Sequence, residues 1–285
     1  MIRVLITGAN SYVGTNLEKW LLKEPEKYFV ETIDMKDPNW TNFDFSKFDV
    51  VFHVAGIAHV STKKRMKDLY FKVNRDLAIE TAKKAKNSGV KQFIFMSSMI
   101  VYNSKETRIT LETKPNPDNF YGQSKLQAEE GILLLESDNF HICILRPPMI
   151  YGPNSKGNFA ILVRIAKHLL MFPDYKNIRS SLYINNLTKY LQFLIDNSIC
   201  GIFYPQNDEY FSTSDIVKTV RNLMGMKGFY PRKLNFLIKF LIRRTSFFRK
   251  LFGDFYYDIQ PYNFIVLFKF KESIEKSVIR ENYNA

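Results

Sequence analysis

A tyrosine and a lysine four residues apart, Tyr121 and Lys125, carry the clearest chemical signal in the sequence. Four residues is just over one helical turn, so on a helix both side chains project from the same face. A free phenol titrates near about 10, and a nearby ammonium favours the phenolate, which brings the phenol closer to a useful catalytic pKa. The spacing predicts an acid/base tyrosine supported by the lysine, with a chance pair on an amphipathic helix as the alternative.

Two serines, Ser97 and Ser98, end an apolar run upstream of this pair. Serines in this place could merely cap the end of a strand. A hydroxyl, a phenol and an ammonium at one site would instead suit proton removal from an alcohol whose carbon gives up hydride. We therefore interpret the three residue types together as indicating hydride chemistry.

A glycine-containing turn follows the first strand-like run and opens a helix, with the residues Thr7-Gly8-Ala9-Asn10-Ser11-Tyr12-Val13-Gly14. Glycines allow a tight turn and close approach of the backbone to a pyrophosphate, which amides at a helix start can bind. Asp34 stands 20 residues past Gly14 at the end of the second strand. Its carboxylate can accept hydrogen bonds from both ribose hydroxyls and repel a 2′-phosphate. These residues predict NAD rather than NADP, with a solvated turn acid as the alternative at Asp34.

The elements that must position these residues alternate between short β-rich runs and helical patterns through the first 150 residues. The alternation predicts an α/β fold, a Rossmann-type doubly wound parallel sheet with crossover helices. The predicted strands run from Arg3 to Thr7, Phe29 to Ile33, Val50 to Val54, Gln92 to Ser97 and His141 to Leu145, and the predicted helices lie near 12–23, 66–87 and 121–137. Further predicted features are a loop from Asn103 to Asn119, a helix from Asn185 to Asn197 and a capping box at Ser212 and Asp215.

The pattern loosens after Gly152-Pro153, which predicts a second part of the chain. We assign residues 1–150 to an NAD-binding Rossmann domain and residues 151–285 mostly to a smaller C-terminal substrate lobe. A segment near 177–200 is expected to return to the first domain.

Composition limits the class of protein. The chain has 285 residues, of which 46% are hydrophobic and 24% charged, as is usual for a folded domain. Cys143 and Cys200 are too few for a disulfide framework. No uninterrupted apolar stretch reaches the roughly 18 residues that span a bilayer, and Gly8 arrives before a signal-peptide apolar region can form. We expect a soluble, cytoplasmic protein.

The formal net charge of +13 calls for a phosphorylated ligand, an acidic membrane surface or a polyanion as partner. Charge alone does not choose among these. The sequence has neither zinc-finger spacing nor an aromatic RNA-binding signature, so we expect no nucleic-acid partner. Four histidines without ligand spacing predict no metal.

The order of these motifs resembles that of the extended short-chain dehydrogenase/reductase superfamily. Within it, the chain resembles the NAD-dependent nucleotide-sugar epimerase/dehydratase branch, of which UDP-galactose 4-epimerase is an example. The resemblance covers roughly residues 1–220. It rests on the glycine turn, Asp34, Val54-Ala55-Gly56, Asn74, Ser97-Ser98, Tyr121 to Lys125 and Arg146-Pro147-Pro148.

The resemblance implies a role for each matching residue. It assigns catalysis to Ser98, Tyr121 and Lys125, with Ser97 as the second choice for the hydroxyl. Asn74 would be a structural asparagine. Ser11 stands where the family usually has glycine, so its β-carbon must adopt a permitted backbone conformation or crowd the pyrophosphate. The implied cofactor contacts are Gly8, Asn10, Ser11, Tyr12, Val13, Gly14, Asp34, Asp44, Ala55, Gly56, Lys125 and Pro148.

The implied reaction is epimerisation of a nucleotide sugar, a UDP-hexose, through a 4-keto intermediate. Tyr121 takes the proton of a sugar hydroxyl that Ser98 orients, and hydride goes to NAD and returns to the opposite face. Running only the return half would make a nucleotide 4-keto-sugar reductase for surface-polysaccharide sugars. A dehydratase needs an acid pair where Met99 and Ile100 stand, so dehydration is disfavoured. A non-catalytic nucleotide-binding or membrane-associated scaffold is the remaining alternative.

Substrate contacts are expected from four residues, Ser98, Tyr121, Asn158 and Arg179. Asn158 precedes a predicted helix, whose first amides suit a phosphate. Arg179 resembles the arginine that this family places near the nucleotide diphosphate, and its planar fork suits that ligand. His59 could face the sugar but is more simply a structural or exposed histidine. The family also implies a homodimer that includes the tyrosine helix.

The segment from Lys233 to Phe252 interleaves apolar residues with six cations. Near-helical spacing is kept within it by Leu234, Leu237, Leu241, Phe248 and Phe252. Such a segment could lie on an anionic membrane surface. The interpretation we favour is a helix that covers the substrate lobe, with its Lys and Arg side chains reaching into solvent.

Overall fold

The structure is a computed structural model that describes residues 1–58 and 64–279. The strands are β1 (Ile2–Thr7), β2 (Tyr28–Ile33), β3 (Val50–His53), β4 (Gln92–Met96), β5 (Arg108–Ile109), β6 (His141–Leu145), β7 (Met149–Tyr151), β8 (Ser181–Tyr183), β9 (Gly201–Phe203) and β10 (Tyr256–Tyr257). The helices are α1 (Tyr12–Leu21), α2 (Lys67–Tyr70), α3 (Leu77–Asn87), α4 (Phe120–Leu133), α5 (Asn158–His168), α6 (Ile184–Asp196), α7 (Thr213–Leu223), α8 (Asn235–Arg244), α9 (Ser246–Phe252) and α10 (Phe270–Ile279). A π-helical segment, Phe71–Asp76, joins α2 to α3.

Six parallel strands form the central sheet in the order β2-β1-β3-β4-β6-β9. The chain builds outward from β1 in one direction and from β3 in the other, so the strand order reverses between these two neighbours. In doubly wound sheets, ligands bind outside the carboxyl ends of the strands at such a reversal. The predicted Rossmann-type architecture is confirmed, and the reversal lies between the glycine turn after β1 and Ala55-Gly56 after β3.

Both faces of the sheet are buried, which explains why its strands read as continuous apolar runs. Along β1, Val4 and Ile6 point into the core shared with α1 and α6, while Leu5 points into the core shared with α3 and α4. All three of these side chains are fully buried. The period of two along the strand thus divides one short sequence between two hydrophobic cores.

The predicted elements of the first 150 residues are confirmed to within about two residues at most ends, with one exception at the C-terminus of the tyrosine helix. That helix, α4, ends at Leu133, and the chain turns before β6. The Asn103 to Asn119 stretch was expected to be loop throughout, which is wrong. It contains β5, which pairs in parallel with β10 near the C-terminus. A two-residue strand has too short an apolar pattern to be read from sequence.

The segment that follows β8 packs against the sheet. The indole of Trp20 on α1 donates to the side chain of Gln192 on α6 at 3.0 Å, and Gln192 also donates to the hydroxyl of Tyr28 at 3.0 Å. Strand β9 then joins the sheet next to β6. The division of the chain at residue 150 stays a prediction.

The remaining elements form a lobe around β7, β8, α5 and α7. The Ser212 hydroxyl accepts from the Asp215 amide at 3.1 Å, so the predicted helix start at Ser212 is confirmed. The expected helix over residues 233–252 is instead two helices, α8 and α9, separated at Thr245, which caps the second. Within residues 1–58 and 64–279, no helix is long and apolar enough to cross a membrane.

Candidate active site

The glycine turn lies at the carboxyl end of β1. Gly8 has φ of +121°, and a β-carbon there would lie 2.8 Å from the Ala55 amide nitrogen, so only glycine fits. Asn10 also adopts a left-handed conformation, with φ of 62°. Ser11 is the N-cap of α1 in an extended conformation, and its hydroxyl accepts from the Gly14 amide at 3.1 Å. The backbone of Ser11 therefore has a conformation that any residue with a β-carbon can adopt.

The backbone amides at the start of α1 suit the binding of an anion. The first amides of a helix, here those of Tyr12 and Val13, have no acceptor within the helix itself. Gly14 lies over β1, where an added β-carbon would be 3.1 Å from the side chain of Ile6. The turn can therefore bring the helix start close to a pyrophosphate, as the sequence predicts.

The end of β3 connects this turn to the lysine. The Ala55 amide donates to the Thr7 carbonyl at 2.8 Å, which fixes the backbone of the two turns side by side. A β-carbon on Gly56 would lie 3.3 Å from Nζ of Lys125. Asn74 is fully buried, and its side chain accepts from the Ile57 amide at 2.7 Å and donates to the Ile57 carbonyl at 3.1 Å. The asparagine thus holds this loop in place over Lys125.

Ser98 and Tyr121 meet at the next position along the sheet edge. Ser98 caps the short turn Met99–Val101 that follows β4, and its side chain lies close enough to the phenol of Tyr121 to lower the pKa of that phenol. Tyr121 lies in the first turn of α4, which Asn119 caps through the Gly122 amide at 2.9 Å. At Gly122 a β-carbon would be 2.3 Å from the Ile100 carbonyl oxygen, so this glycine permits the close approach of α4 to the serine turn.

The pKa of Tyr121 shifts in the direction opposite to the one expected from its lysine neighbour. Burial raises this pKa to about 12, against the lowering effect of the Ser98 hydrogen bond. The expected lowering rests on the ammonium alone, whereas in this buried site the cost of desolvating a phenolate is the larger effect. The protein alone therefore holds the phenol protonated.

Lys125 is buried, and its ammonium donates to the Met96 carbonyl at 2.8 Å. Burial lowers the pKa of Lys125 to about 8, while the charge of Glu129 acts in the opposite direction. His53, the last residue of β3, is also fully buried, and its Nδ1 lies 2.7 Å from the Thr7 hydroxyl. Burial and the Lys125 charge lower the pKa of His53 to about 3.

This histidine should make the protein less stable as the pH falls from about 6.5 to about 3. Over that interval the unfolded chain binds a proton at His53 that the folded chain does not, so each pH unit costs up to about 1.4 kcal/mol. The substitution His53→Gln should flatten the fall in unfolding free energy, measured by urea denaturation at several pH values. The matched change at the exposed His168 should keep the wild-type slope; equal slopes in both variants would contradict the assignment to His53.

A buried ion pair lies beneath this site that the sequence did not reveal. Arg146 donates to Glu129 through both Nη2, at 2.6 Å, and Nε, at 3.1 Å. Arg146 also donates to the Tyr102 hydroxyl at 2.9 Å, and the Ser97 hydroxyl bonds the carboxylate of Glu129. Ser97, the second choice for the catalytic hydroxyl, is therefore turned into the core. The signal in the sequence is spacing, because Glu129 continues the Tyr121 and Lys125 stripe by four more residues.

The two acids assigned to the cofactor have different surroundings. The amides of Gly8 and Ala9 donate to the Ile33 carbonyl at 2.9 and 3.0 Å, which places Asp34 directly beside the turn. Asp44 is exposed in the connection before β3, where hydrogen bonds from Ser46 lower its pKa. The structure thus places Asp34 beside the glycine turn, and the cofactor roles of Asp34 and Asp44 both stay predictions.

The remaining predicted contacts lie farther along the chain. Pro148 is buried just after Pro147, whose carbonyl accepts from the Met99 amide at 2.9 Å. Asn158 is exposed as the first residue of α5, whose N-cap is Gly157, so the helix begins one residue earlier than predicted. Arg179 is half-buried on the other lobe, where it donates to the Gly253 carbonyl at 2.9 Å. No hydrogen bond or ion pair among the described residues joins Asn158 or Arg179 to Tyr121.

Two further expectations concern His59 and the absence of a metal site. His59 lies outside the described residues. Glu136, His141 and Cys200 each place one possible metal-ligand atom within 4.8 Å of the others. His141 begins β6 and Cys200 precedes β9, so this group lies at the amino edge of the sheet, away from Ser98 and Tyr121. The absence of a metal from the active site stays a prediction.

The doubly wound sheet, the glycine turn at its reversal and the serine, tyrosine and lysine at its carboxyl edge define a dinucleotide-dependent dehydrogenase-type enzyme. The sequence matches the NAD dependent epimerase/dehydratase family over residues 4–201, and the chain belongs to that family. The resemblance to the extended short-chain dehydrogenase/reductase superfamily is thereby confirmed, and with it an NAD-dependent enzyme.

Three similar proteins illustrate the relationship. The chain is 33% identical to UDP-glucose 4-epimerase of Vibrio cholerae over 242 residues, which are 75% of this chain and 74% of that protein. It is 29% identical over 217 residues to N-acetyl-alpha-D-glucosaminyl-diphospho-ditrans,octacis-undecaprenol 4-epimerase of Escherichia coli O157:H7, covering 70% of this chain and 64% of the relative. The fold matches the crystal structure of UDP-glucuronic acid 4-epimerase from Bacillus cereus in complex with NAD, with a TM-score of 0.77, 19% identity and 99% of each chain covered.

Proposed function

We propose that the protein is an NAD-dependent 4-epimerase of a diphosphate-linked sugar, a UDP-hexose, that works through a 4-keto intermediate. The observation that carries this proposal is the contact of the Ser98 side chain with the Tyr121 phenol, one helical turn from Lys125. A serine and a tyrosine on one hydroxyl can orient it and take its proton. Two sequence relatives, both 4-epimerases, support the same reaction.

The residues present fit NAD. Gly8 has no room for a β-carbon beside Ala55, so the turns after β1 and β3 pack closely together at the reversal of strand order, where a dinucleotide would lie. The amides of Tyr12 and Val13, with Asn10 and Ser11 on the turn, would hold the pyrophosphate, and Asp34 would bind the adenosine ribose. When bound, NAD supplies the hydride chemistry, accepting hydride from the sugar carbon and returning it.

The chain's own residues control the proton. Tyr121, as the phenolate, takes the proton from the sugar hydroxyl, and Ser98, which lies beside the phenol, donates a hydrogen bond to the developing sugar oxyanion. Lys125 must help the phenol ionise, because burial alone keeps it protonated. Met99 and Ile100 follow Ser98 directly, and their apolar side chains offer no acid to expel a second hydroxyl. Proton transfer at one alcohol is therefore the chemistry available here.

The diphosphate of the substrate has two proposed contacts. Asn158 stands at the start of α5, where helix amides favour an anion. Arg179 is half-buried, and its hydrogen bond to the Gly253 carbonyl uses one of the five guanidinium donor hydrogens, which leaves others for a phosphate. The same contacts would accept a sugar on either a nucleoside diphosphate or a lipid diphosphate, as the names of the two sequence relatives illustrate.

The balance of NADH tests the reaction. Purified protein is incubated with NAD and UDP-glucose, UDP-galactose or their N-acetyl analogues, and products are separated while NADH absorbance is followed. An epimerase interconverts the 4-epimers without net NADH change. One NADH consumed per molecule of a 4-keto sugar would instead establish the reductase. Tight nucleotide binding with no turnover of any sugar would favour the non-catalytic scaffold.

We also propose that the protein acts in the cytoplasm as a homodimer through the surface of α4. Leu133 and Leu134 are exposed at the end of that helix, and Leu69 is exposed on α2, which contacts α4. A second copy would cover them. Sedimentation velocity should show a dimer, and a concentration-independent monomer would refute this assembly.

A further inference from the structure

The outer face of α8 is built from aromatic and cationic side chains. Phe236 and Phe240 stand four residues apart, are 76% and 54% exposed, and thus lie side by side on one face. Ile238 is buried on the opposite side and anchors the helix to the lobe. Helical periodicity places Lys239 and Arg243 on one flank of the phenylalanines, and Leu237 and Arg244 on the other. The helix is therefore apolar on both faces and basic along the border of its exposed face.

A second exposed apolar group lies beside the start of this helix. Leu170 and Phe229 are 76% and 65% exposed, and the backbone amide of Phe229 donates to the Leu170 carbonyl at 2.9 Å. Arg221, buried beneath them, donates to the Leu169 carbonyl at 2.8 Å and to the carbonyl of Lys227. This group, which we call the apolar tip, is thus held in place by a buried arginine.

Asp174 connects the apolar tip to α8. Its carbonyl accepts from the Asn235 side chain at 3.1 Å, and its carboxylate accepts from Arg232 at 2.9 Å. Met171, which is paired with Phe229, precedes Asp174 by three residues, a reach of at most about 11 Å. The apolar tip and the exposed face of α8 are therefore neighbouring parts of one lobe.

The charge of this region selects the kind of partner. No acidic residue stands between Asp215 and Asp254, a stretch that holds ten Lys and Arg residues. Of these, Lys239, Arg243, Arg244 and Lys250 form no ion pair within the described part of the chain. The Arg244 guanidinium instead lies over the Phe240 ring, 5.4 Å from its centroid. Exposed aromatics bordered by unpaired cations match a surface that is apolar inside and anionic outside.

We propose that the exposed face of α8, with the apolar tip, docks the protein onto an anionic phospholipid bilayer. The phenylalanines enter the boundary between headgroups and acyl chains, while the cations stay at the level of the lipid phosphates. The helix lies in the plane of the membrane and does not cross it, since α8 spans only Asn235–Arg244. This places the active site beside a membrane, where a sugar on a lipid diphosphate would be within its reach.

Vesicle co-sedimentation of the full chain tests the proposal. Wild-type protein should bind vesicles of phosphatidylglycerol and phosphatidylcholine, bind pure phosphatidylcholine at least about tenfold more weakly, and lose binding as salt is raised. The double variant Phe236→Ala/Phe240→Ala should lower the partition coefficient at least about tenfold. The double variant Arg243→Gln/Arg244→Gln should remove most of the preference for anionic vesicles.

A matched control uses comparably exposed leucines elsewhere, Leu22→Ala/Leu111→Ala, at 49% and 70% exposure, and this variant should bind vesicles as wild type does. Turnover of a water-soluble nucleotide sugar should be unchanged in the phenylalanine variant, which shows that it folds and separates docking from catalysis. Absence of wild-type binding to anionic vesicles would overturn the proposal, as would wild-type binding by the phenylalanine variant. Conversion of a wild-type dimer to monomer by Phe236→Ala/Phe240→Ala, without vesicle binding, would identify a second copy as the partner and also overturn it.

Discussion

Replacing Tyr121 with phenylalanine should lower kcat for the epimerisation by about 10³-fold and leave NAD binding nearly unchanged. The phenyl ring keeps its packing near Tyr70, whose ring centroid lies 6.0 Å away, but the hydroxyl that lies beside Ser98 is lost. General acid–base catalysis by a positioned side chain contributes about 10²–10⁴-fold. Tyr121 is the titratable group that the start of α4 places beside Ser98. Initial rates give kcat, and fluorescence titration with NADH gives the affinity for the cofactor.

The neighbouring phenol provides the control for this prediction. Tyr70→Phe removes a hydroxyl from the same aromatic pair but keeps the Tyr121 hydroxyl beside Ser98. The kcat of this variant should therefore fall by less than about tenfold. A Tyr121→Phe enzyme with wild-type turnover would exclude Tyr121 as the base. Equal losses of turnover and of NADH affinity in Tyr121→Phe would indicate a structural role, since an acid/base group acts mainly on the chemical step.

The position of the site follows from the sequence because local patterns determine it. Gly8 is required by a left-handed turn against Ala55, and the glycine is visible in the sequence after an apolar run. The spacing of Tyr121 and Lys125 predicts their common helix face, and α4 is the helix that the structure has there. Parallel strands bring all their carboxyl ends to one edge of the sheet, so residues far apart in sequence meet without further information.

Burial and long-range pairing could not be predicted in the same way. The pKa of Tyr121 depends on how completely α4 and the serine turn exclude water, and a one-dimensional pattern does not contain that quantity. The pairing of β5 with β10 joins residues about 150 positions apart through two residues on each side. The face that α8 exposes was equally hidden, because both of its faces are apolar and only packing decides that Ile238 is the buried one.

Replacing Glu129 with alanine should lower the free energy of unfolding by about 3–5 kcal/mol. The carboxylate is the counter-charge of Arg146, and both side chains are at least 93% buried, with side-chain exposures of 1% and 7%. Removing one partner of a buried ion pair leaves the other charge without compensation, which costs far more than the pair itself contributes. The adjacent Glu130→Ala makes the same chemical change at an exposed position of the same helix and should stay within about 0.5 kcal/mol of wild type. Urea denaturation of both variants gives the comparison.

A double variant separates uncompensated charge from lost packing as the cause. If the loss in Glu129→Ala comes from the Arg146 charge, then Glu129→Leu/Arg146→Met, which replaces both partners by apolar groups, should be more stable than Glu129→Ala. If lost contacts were the cause, removing the second partner would add a further loss, and the double variant would be the less stable protein. Glu129 also opposes the lowering of the Lys125 pKa, so Glu129→Ala should shift that pKa further down. A stability near wild type in Glu129→Ala would mean that Arg146 finds water or another partner, which its hydrogen bond to Tyr102 alone does not supply.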